Sequence, residues 1–137
     1  MKIIYCITKA DNGGAQTHLI QLANHFCVHH DVYVIVGNHG PMIEQLDARV
    51  NVIILEHLVG PIDFKQDILA VKVLAQLFSK IKPDVIHLHS SKAGTVGRIA
   101  KFISKSKDTR VVFTAHGWAF TEGVKPAKKF LYLVIEK

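Results

Sequence analysis

Nine histidines stand among the 137 residues, and three of them, His87, His89 and His116, fall where extended apolar runs give way to glycine-containing loops. His87 and His89 alternate by two, so in a strand they share one face and could bracket a ligand at its end. With His116 they offer three imidazoles, a set able to hold zinc. No acidic or cysteine ligand sits close by, and neither His-Glu-x-x-His nor Cys-x-x-Cys occurs, so the expectation is no metal and no cofactor. The plainer reading of His87 is a satisfied histidine between strand and helix.

His116 lies in Thr114-Ala115-His116-Gly117-Trp118-Ala119-Phe120. Gly117 frees the backbone there, and Trp118 and Phe120 offer apolar surface on which a sugar or lipid-linked acceptor could stack. An imidazole in such a loop can donate a hydrogen bond to a phosphate or a sugar hydroxyl. His116 is therefore the histidine expected to act on a ligand.

Two further segments carry anion-binding ingredients. Gly13-Gly14 follows an apolar run and opens a helical pattern, where unpaired N–H groups and the positive end of the helix dipole can hold a phosphate. The pair could equally serve only a tight turn. Ser90-Ser91-Lys92-Ala93-Gly94-Thr95 brings hydroxyls, a cation and a helix N-terminus together, or else is an N-cap with an exposed lysine. Neither Gly-x-Gly-x-x-Gly nor Gly-x-x-x-x-Gly-Lys-Ser/Thr occurs, which disfavours a dinucleotide fingerprint and a nucleotide-hydrolysing P-loop. Without Gly-x-Ser-x-Gly, a hydrolase nucleophile at Ser90 or Ser91 is not expected.

Elements must bring these segments to one place. Apolar runs at 3–8, 32–36, 50–55, 84–89 and 110–114 read as strands, and helical spacing follows at 15–26, 41–46, 63–82, 95–105 and 126–137. Ala15, Leu19, Leu22, Ala23 and Phe26 form one helical face, and Phe64, Ile68, Val71, Leu74, Ala75, Phe78 and Ile81 form another, with Asp63 a candidate N-cap and Pro83 a stop. Strictly alternating strands and helices, with near-continuous apolar strands, specify an α/β fold: a doubly wound, Rossmann-like parallel sheet covered on both faces. Ligands of such sheets bind beyond the carboxyl ends of the strands, where the loops at 9–14, 37–40, 87–94 and 115–123 fall.

The length is that of one domain, 1–137, and a charged fraction of 20% with 49% hydrophobic residues excludes global disorder. Residues 1–91 hold seven basic and eight acidic side chains, and residues 92–137 hold ten and three, so the whole +6 excess sits in the last third. That asymmetry suggests an anionic partner. No helix-turn-helix, RNP-like or zinc-finger pattern appears, so nucleic acid is not the expected one. No apolar run is long enough to cross a bilayer, the first residues read as a strand rather than a signal peptide, and Cys6 and Cys27 suit a reducing cytoplasm.

Gly13-Gly14-Ala15-Gln16-Thr17-His18-Leu19, the stretch from Asp84 to Gly94 with Gly97-Arg98, and Thr114-Ala115-His116-Gly117 together resemble the amino-terminal domain of family 4 retaining glycosyltransferases, which have the GT-B fold. The resemblance covers essentially the whole chain. It is greatest to bacterial members that build capsule, exopolysaccharide or O-antigen units on a polyprenyl-diphosphate carrier. It implies one lobe of a two-lobed enzyme: Gly13 and Gly14 against the diphosphate of a nucleotide-sugar donor, and His116 as the catalytic-site histidine facing the donor sugar. Ser90, Lys92, Gly94 and Trp118 would then lie on the acceptor side. The family's Glu-x7-Glu element belongs to the carboxyl-terminal donor lobe and is absent here, so the expectation is a half-enzyme, inactive alone. The resemblance further implies a lipid-linked or saccharide acceptor and a cytoplasmic protein at the inner face of the plasma membrane, with Lys101, Lys105, Lys125, Lys128 and Lys129 toward anionic lipid. A sugar-nucleotide epimerase lobe and a non-catalytic nucleotide- or anion-binding module are the alternatives.

Overall fold

The computed structural model describes residues 1–116. Trp118, Lys125, Lys128, Lys129 and the helix expected at 126–137 lie outside the described residues. Within them run β1 (Lys2–Ile7), α1 (Gly14–Phe26), β2 (Asp31–Val36), α2 (Pro41–Glu44), β3 (Asn51–Ile54), α3 (Phe64–Ile81), β4 (Val85–His89), α4 (Ser91–Ile103) and β5 (Arg110–Thr114). All five strands are parallel, in the order β3-β2-β1-β4-β5. The order reverses at β1, which pairs with both β2 and β4, so a crevice opens between the carboxyl ends of β1 and β4.

Alternation along each strand divides the apolar residues between two faces. Ile4, Cys6, Ile35, Ile86 and Leu88 pack on one, under Leu74 and Phe78 of α3 and Ala93, Val96 and Ala100 of α4. Ile3, Tyr5, Ile7, Val32, Val34 and Val36 pack on the other, under Leu19 and Ala23 of α1 and Met42 of α2. On that second face β4 departs from the pattern, because two of its positions there are His87 and His89.

Asp63 caps α3, its carboxylate accepting from the Gln66 N–H at 3.1 Å. Lys82 closes the helix in the left-handed region just before Pro83. Two expectations change. Phe64 and Ile68 are 79% and 61% exposed rather than core, because the first turns of α3 carry them on the flank of the buried stripe. The segment after β4 is a cap and a first helical turn rather than a loop: α4 starts at Ser91, four residues earlier than the spacing suggests. Gly94 ends the expected loop and Gly97 falls inside the expected helix, and both are buried where α4 presses on the sheet, so packing there outweighs their poor helix propensity.

Candidate functional site

Four imidazoles and one phenol meet at the switch between β1 and β4. Tyr5 of β1 lies 5.5 Å from His87 and 6.0 Å from His89, ring centre to ring centre. His87 and His89 lie 4.1 Å apart. His116, just past β5, stacks on His89 at 5.0 Å, and His18 of α1 stands edge-on to both, at 5.9 Å from His89 and 5.3 Å from His116. His87 and His89 come from β4, and the other three rings from β1, from α1 and from just past β5, so only the folded sheet assembles them.

The rings differ in surroundings. His116 is exposed and His89 is fully buried, and they are joined by a 2.7 Å contact between Nδ1 of His89 and Nε2 of His116. The other nitrogen of His89, Nε2, is buried with no hydrogen-bond partner among the described residues. His87 is half-buried and its Nε2 lies 2.7 Å from Oγ1 of Thr114. Burial disfavours the charged form, so it pushes His87 down to about 4, helped by His18 and His116. His89 is pushed down to about 3 by burial and then by His87, His116 and His18. His116 is lowered too, by burial and then by His18. His87, His89 and His116 are therefore neutral at neutral pH.

The set of described residues able to hold a metal is His18, His89 and His116, with ligand atoms within 4.8 Å of one another. His18 takes the place expected of His87, which is engaged with Thr114 instead. Two nitrogens on one tetrahedral zinc with bonds of ~2.0–2.1 Å stand about 3.3 Å apart. The 2.7 Å between His89 and His116 is shorter than that and is a hydrogen-bond distance. His18 is the site residue that the sequence reading left unassigned; its spacing from Gly14, one helical turn, is the signal that points it toward the same crevice.

One turn upstream of His18, α1 begins at Gly14 with no side chain capping it. A Cβ on Gly14 would meet nothing within 4 Å, and one on Gly13 would meet only the movable Gln16 side chain. Gly13 is extended, with φ 176°, a conformation open to any residue. The pair is thus not required by a tight turn, and the first N–H groups of α1 have no side-chain cap.

Ser90 follows β4 as the N-cap of α4 with φ 83°, a region that L residues rarely adopt, and its Oγ accepts from the Ala93 N–H at 3.4 Å while lying 3.4 Å from Oγ1 of Thr8, just past β1. It spans the crevice floor. Lys92 is nearly buried, its ammonium on the Asp67 carboxylate and donating to the Pro61 carbonyl at 2.8 Å, which ties α4 to α3. Gly94 lies against Phe113, where a Cβ would stand 2.9 Å from the ring.

Residues 12–136 match Glycosyltransferase Family 4. The chain is 33% identical over 106 residues to the Escherichia coli UDP-Gal:alpha-D-GlcNAc-diphosphoundecaprenol alpha-1,3-galactosyltransferase, covering 77% of this chain and 27% of that protein. It spans 16–27% of the length of the curated relatives it matches. Among solved structures, Anabaena Alr3699/HepE in complex with UDP-glucose aligns with a TM-score of 0.70 at 21% identity, over 98% of this chain and 34% of that one. The lipopolysaccharide outer core galactosyltransferase WaaB aligns at 0.63 and 14%, over 96% and 37%. A structure of the UDP-N-acetylglucosamine 2-epimerase kind shares the fold at 10% identity and 0.62. The fold alone therefore does not choose between the two, and the family matched is that of glycosyltransferases.

Proposed function

The chain belongs to glycosyltransferase family 4, and on that premise we propose that residues 1–137 form the acceptor-side lobe of a retaining transferase, which works with a donor-binding lobe. It moves a sugar from a nucleotide-sugar donor to a saccharide acceptor carried on a polyprenyl diphosphate, in the synthesis of a surface polysaccharide. The observation that carries the reading is the packing of His116 on His18, one turn into the uncapped helix α1, at the sheet's switch point.

The chemistry is positioning and charge stabilisation. As the bond from the anomeric carbon to the donor phosphate breaks, negative charge grows on the diphosphate. The N–H groups at Gly13 and Gly14 and the dipole of α1 offset it, and the neutral His116 imidazole holds the donor sugar or its phosphate by a hydrogen bond. The acceptor hydroxyl enters from the side of Ser90, Lys92 and Trp118. Lys92 contributes by ordering the loop around Pro61, since its charge is already matched by Asp67, and Gly94 contributes by letting α4 close on Phe113. None of these steps calls on a metal ion or an organic cofactor.

The acceptor's lipid puts the working protein at the cytoplasmic face of a membrane. No helix among the described residues is long and apolar enough to cross one. Contact at the surface is supported by α4, where Ile99, Phe102 and Ile103 are exposed beside Lys101 and Lys105.

The test is a transfer assay with the protein joined to its donor lobe, a panel of UDP-sugars and a polyprenyl-diphosphate-linked acceptor, with the added sugar read by mass spectrometry and its anomeric configuration by NMR. We expect an acceptor lengthened by one sugar with the donor's anomeric configuration, and survival of activity in excess chelator. His116→Ala should lower turnover by about 10²-fold or more, the scale for removing one preorganised hydrogen-bond donor. Wild-type rates in that variant, or a free sugar isomer formed without acceptor, would defeat the proposal. Loss of activity on chelation with recovery on a divalent ion would remove its metal-free part.

A further inference from the structure

We infer that His89 is a positioning residue that fixes which nitrogen of His116 carries the proton: His89 donates from Nδ1 to Nε2 of His116, leaving His116 an Nδ1–H donor toward its ligand. The inference rests on the proposed role of His116 only for what that donor meets; the proton arrangement itself follows from the geometry of the pair.

Two neutral imidazoles 2.7 Å apart share one proton in their bond, so one ring donates and the other accepts. If His116 donated from Nε2, His89 would have to carry its own proton on Nε2. That nitrogen is fully buried and has no partner among the described residues, so an N–H would be stranded there. A buried N–H without an acceptor is the rarer and costlier orphan; a bare imidazole lone pair in the same place forgoes less. A doubly protonated His89 would strand the same N–H and add a buried charge. The imidazoles of His18 from α1 and His87 from β4, with the Tyr5 ring from β1, crowd His89, and burial keeps both His89 and His116 neutral.

The consequence is chemical. With its Nε2 accepting from His89, His116 offers the ligand an N–H and no lone pair on that edge. It selects an acceptor atom, a sugar hydroxyl oxygen or a phosphate oxygen, and it cannot take a proton from an acceptor hydroxyl unless both rings exchange tautomers. His116 is then a donor that orients and stabilises, and His89 is the reason.

The experiment uses the 137-residue chain labelled with ¹⁵N at histidine, with long-range ¹H–¹⁵N spectra recorded above pH 7. We expect the ring-nitrogen pattern of the Nδ1–H tautomer for both His89 and His116. In His89→Leu, His116 should move to the Nε2–H form that prevails for an unconstrained imidazole. In His89→Asn, whose amide N–H stands where the Nδ1–H stood, His116 should keep the Nδ1–H form. An Nε2–H pattern for His89 in the wild-type chain overturns the inference without any variant having to fold. So does an unchanged His116 in a natively folded His89→Leu, or Zn²⁺ alone displacing the shared proton at both rings. In the transfer assay His89→Leu should lower kcat about 10-fold, the lower end for loss of an outer-shell partner, with His89→Asn restoring most of it. A failed His116→Ala test would remove the ligand role and leave the tautomer result standing, whereas a reversed tautomer would leave His116 at the site as an acceptor.

Discussion

Gly97 of α4 lies so close over Leu88 of β4 that a Cβ would stand 2.5 Å from Cδ2 of the leucine, a fully buried side chain. Gly14, one turn before His18, faces open space instead. The two glycines should therefore answer alanine in opposite ways. In Gly97→Ala, overpacking of ~1–3 kcal/mol set against a helix-propensity gain of ~1 kcal/mol leaves a net loss of up to about 2 kcal/mol in urea unfolding. Gly14→Ala should keep or gain up to about 1 kcal/mol while weakening UDP-sugar use in the transfer assay. Destabilisation by Gly14→Ala would show that the glycine serves the fold.

Ser90 holds a backbone conformation suited to glycine, at a cost of about 1–3 kcal/mol. Its N-cap bond to Ala93 is long, and glycine at an N-cap costs only a few tenths of a kcal/mol. Ser90→Gly should thus raise stability by about 1 kcal/mol, read from the urea midpoint at constant m. A lower midpoint would mean that the hydroxyl bridging toward Thr8 outweighs the strain.

Acid should unfold the protein through its histidines. The folded chain holds His87 at about 4 and His89 at about 3, while the unfolded chain takes up protons near pH 6.5. With both values depressed on folding, the associated stability is complete above about pH 6.5 and is lost as pH falls through the window toward 4. The Tm should be level from pH 7 to 8 and fall steadily below 6.5, less steeply in His89→Asn. A Tm that rises on acidification across this window would contradict the burial of these rings.

Lys92 and Asp67 pair at side-chain exposures of 11% and 22%, far drier than the Arg49–Asp47 pair on the surface. A double-mutant cycle with Lys92→Met and Asp67→Asn should give a coupling of about 1–2 kcal/mol, above the ~0.2–1 kcal/mol of exposed pairs. Coupling near zero would return Lys92 to the role of a cation available to the acceptor.

The last turns of α4 should meet lipid. Phe102 is 84% exposed between Lys101 and Ile103, an apolar side chain with a neighbouring cation, and each Lys near an anionic surface adds about 1 kcal/mol. Flotation with anionic vesicles should recover the protein, and Phe102→Ser combined with Lys101→Glu should reduce that recovery. Equal recovery with neutral vesicles would count against the surface.

The fold class was legible because its signals are local. Strand runs and helical spacing repeat within a few residues, and Asp63 and Pro83 mark the bounds of α3 where the structure has them. Family membership was legible too, since three short motifs in order need no folding to be read. The errors came where packing overrides local preference: Gly94 disguises the first turn of a helix that the sheet below it requires, and Phe64 and Ile68 have the periodicity of a core without the cover.

Histidines at the ends of strands and glycines before a helix can be read from the order of residues alone. Which imidazoles meet cannot. His18 and His116 are 98 positions apart and come within 5.3 Å because parallel strands β1, β4 and β5 end on the same edge of one sheet. Local spacing sets which face a side chain takes; the partner across the crevice is set by strand order, and no run of neighbouring residues encodes it.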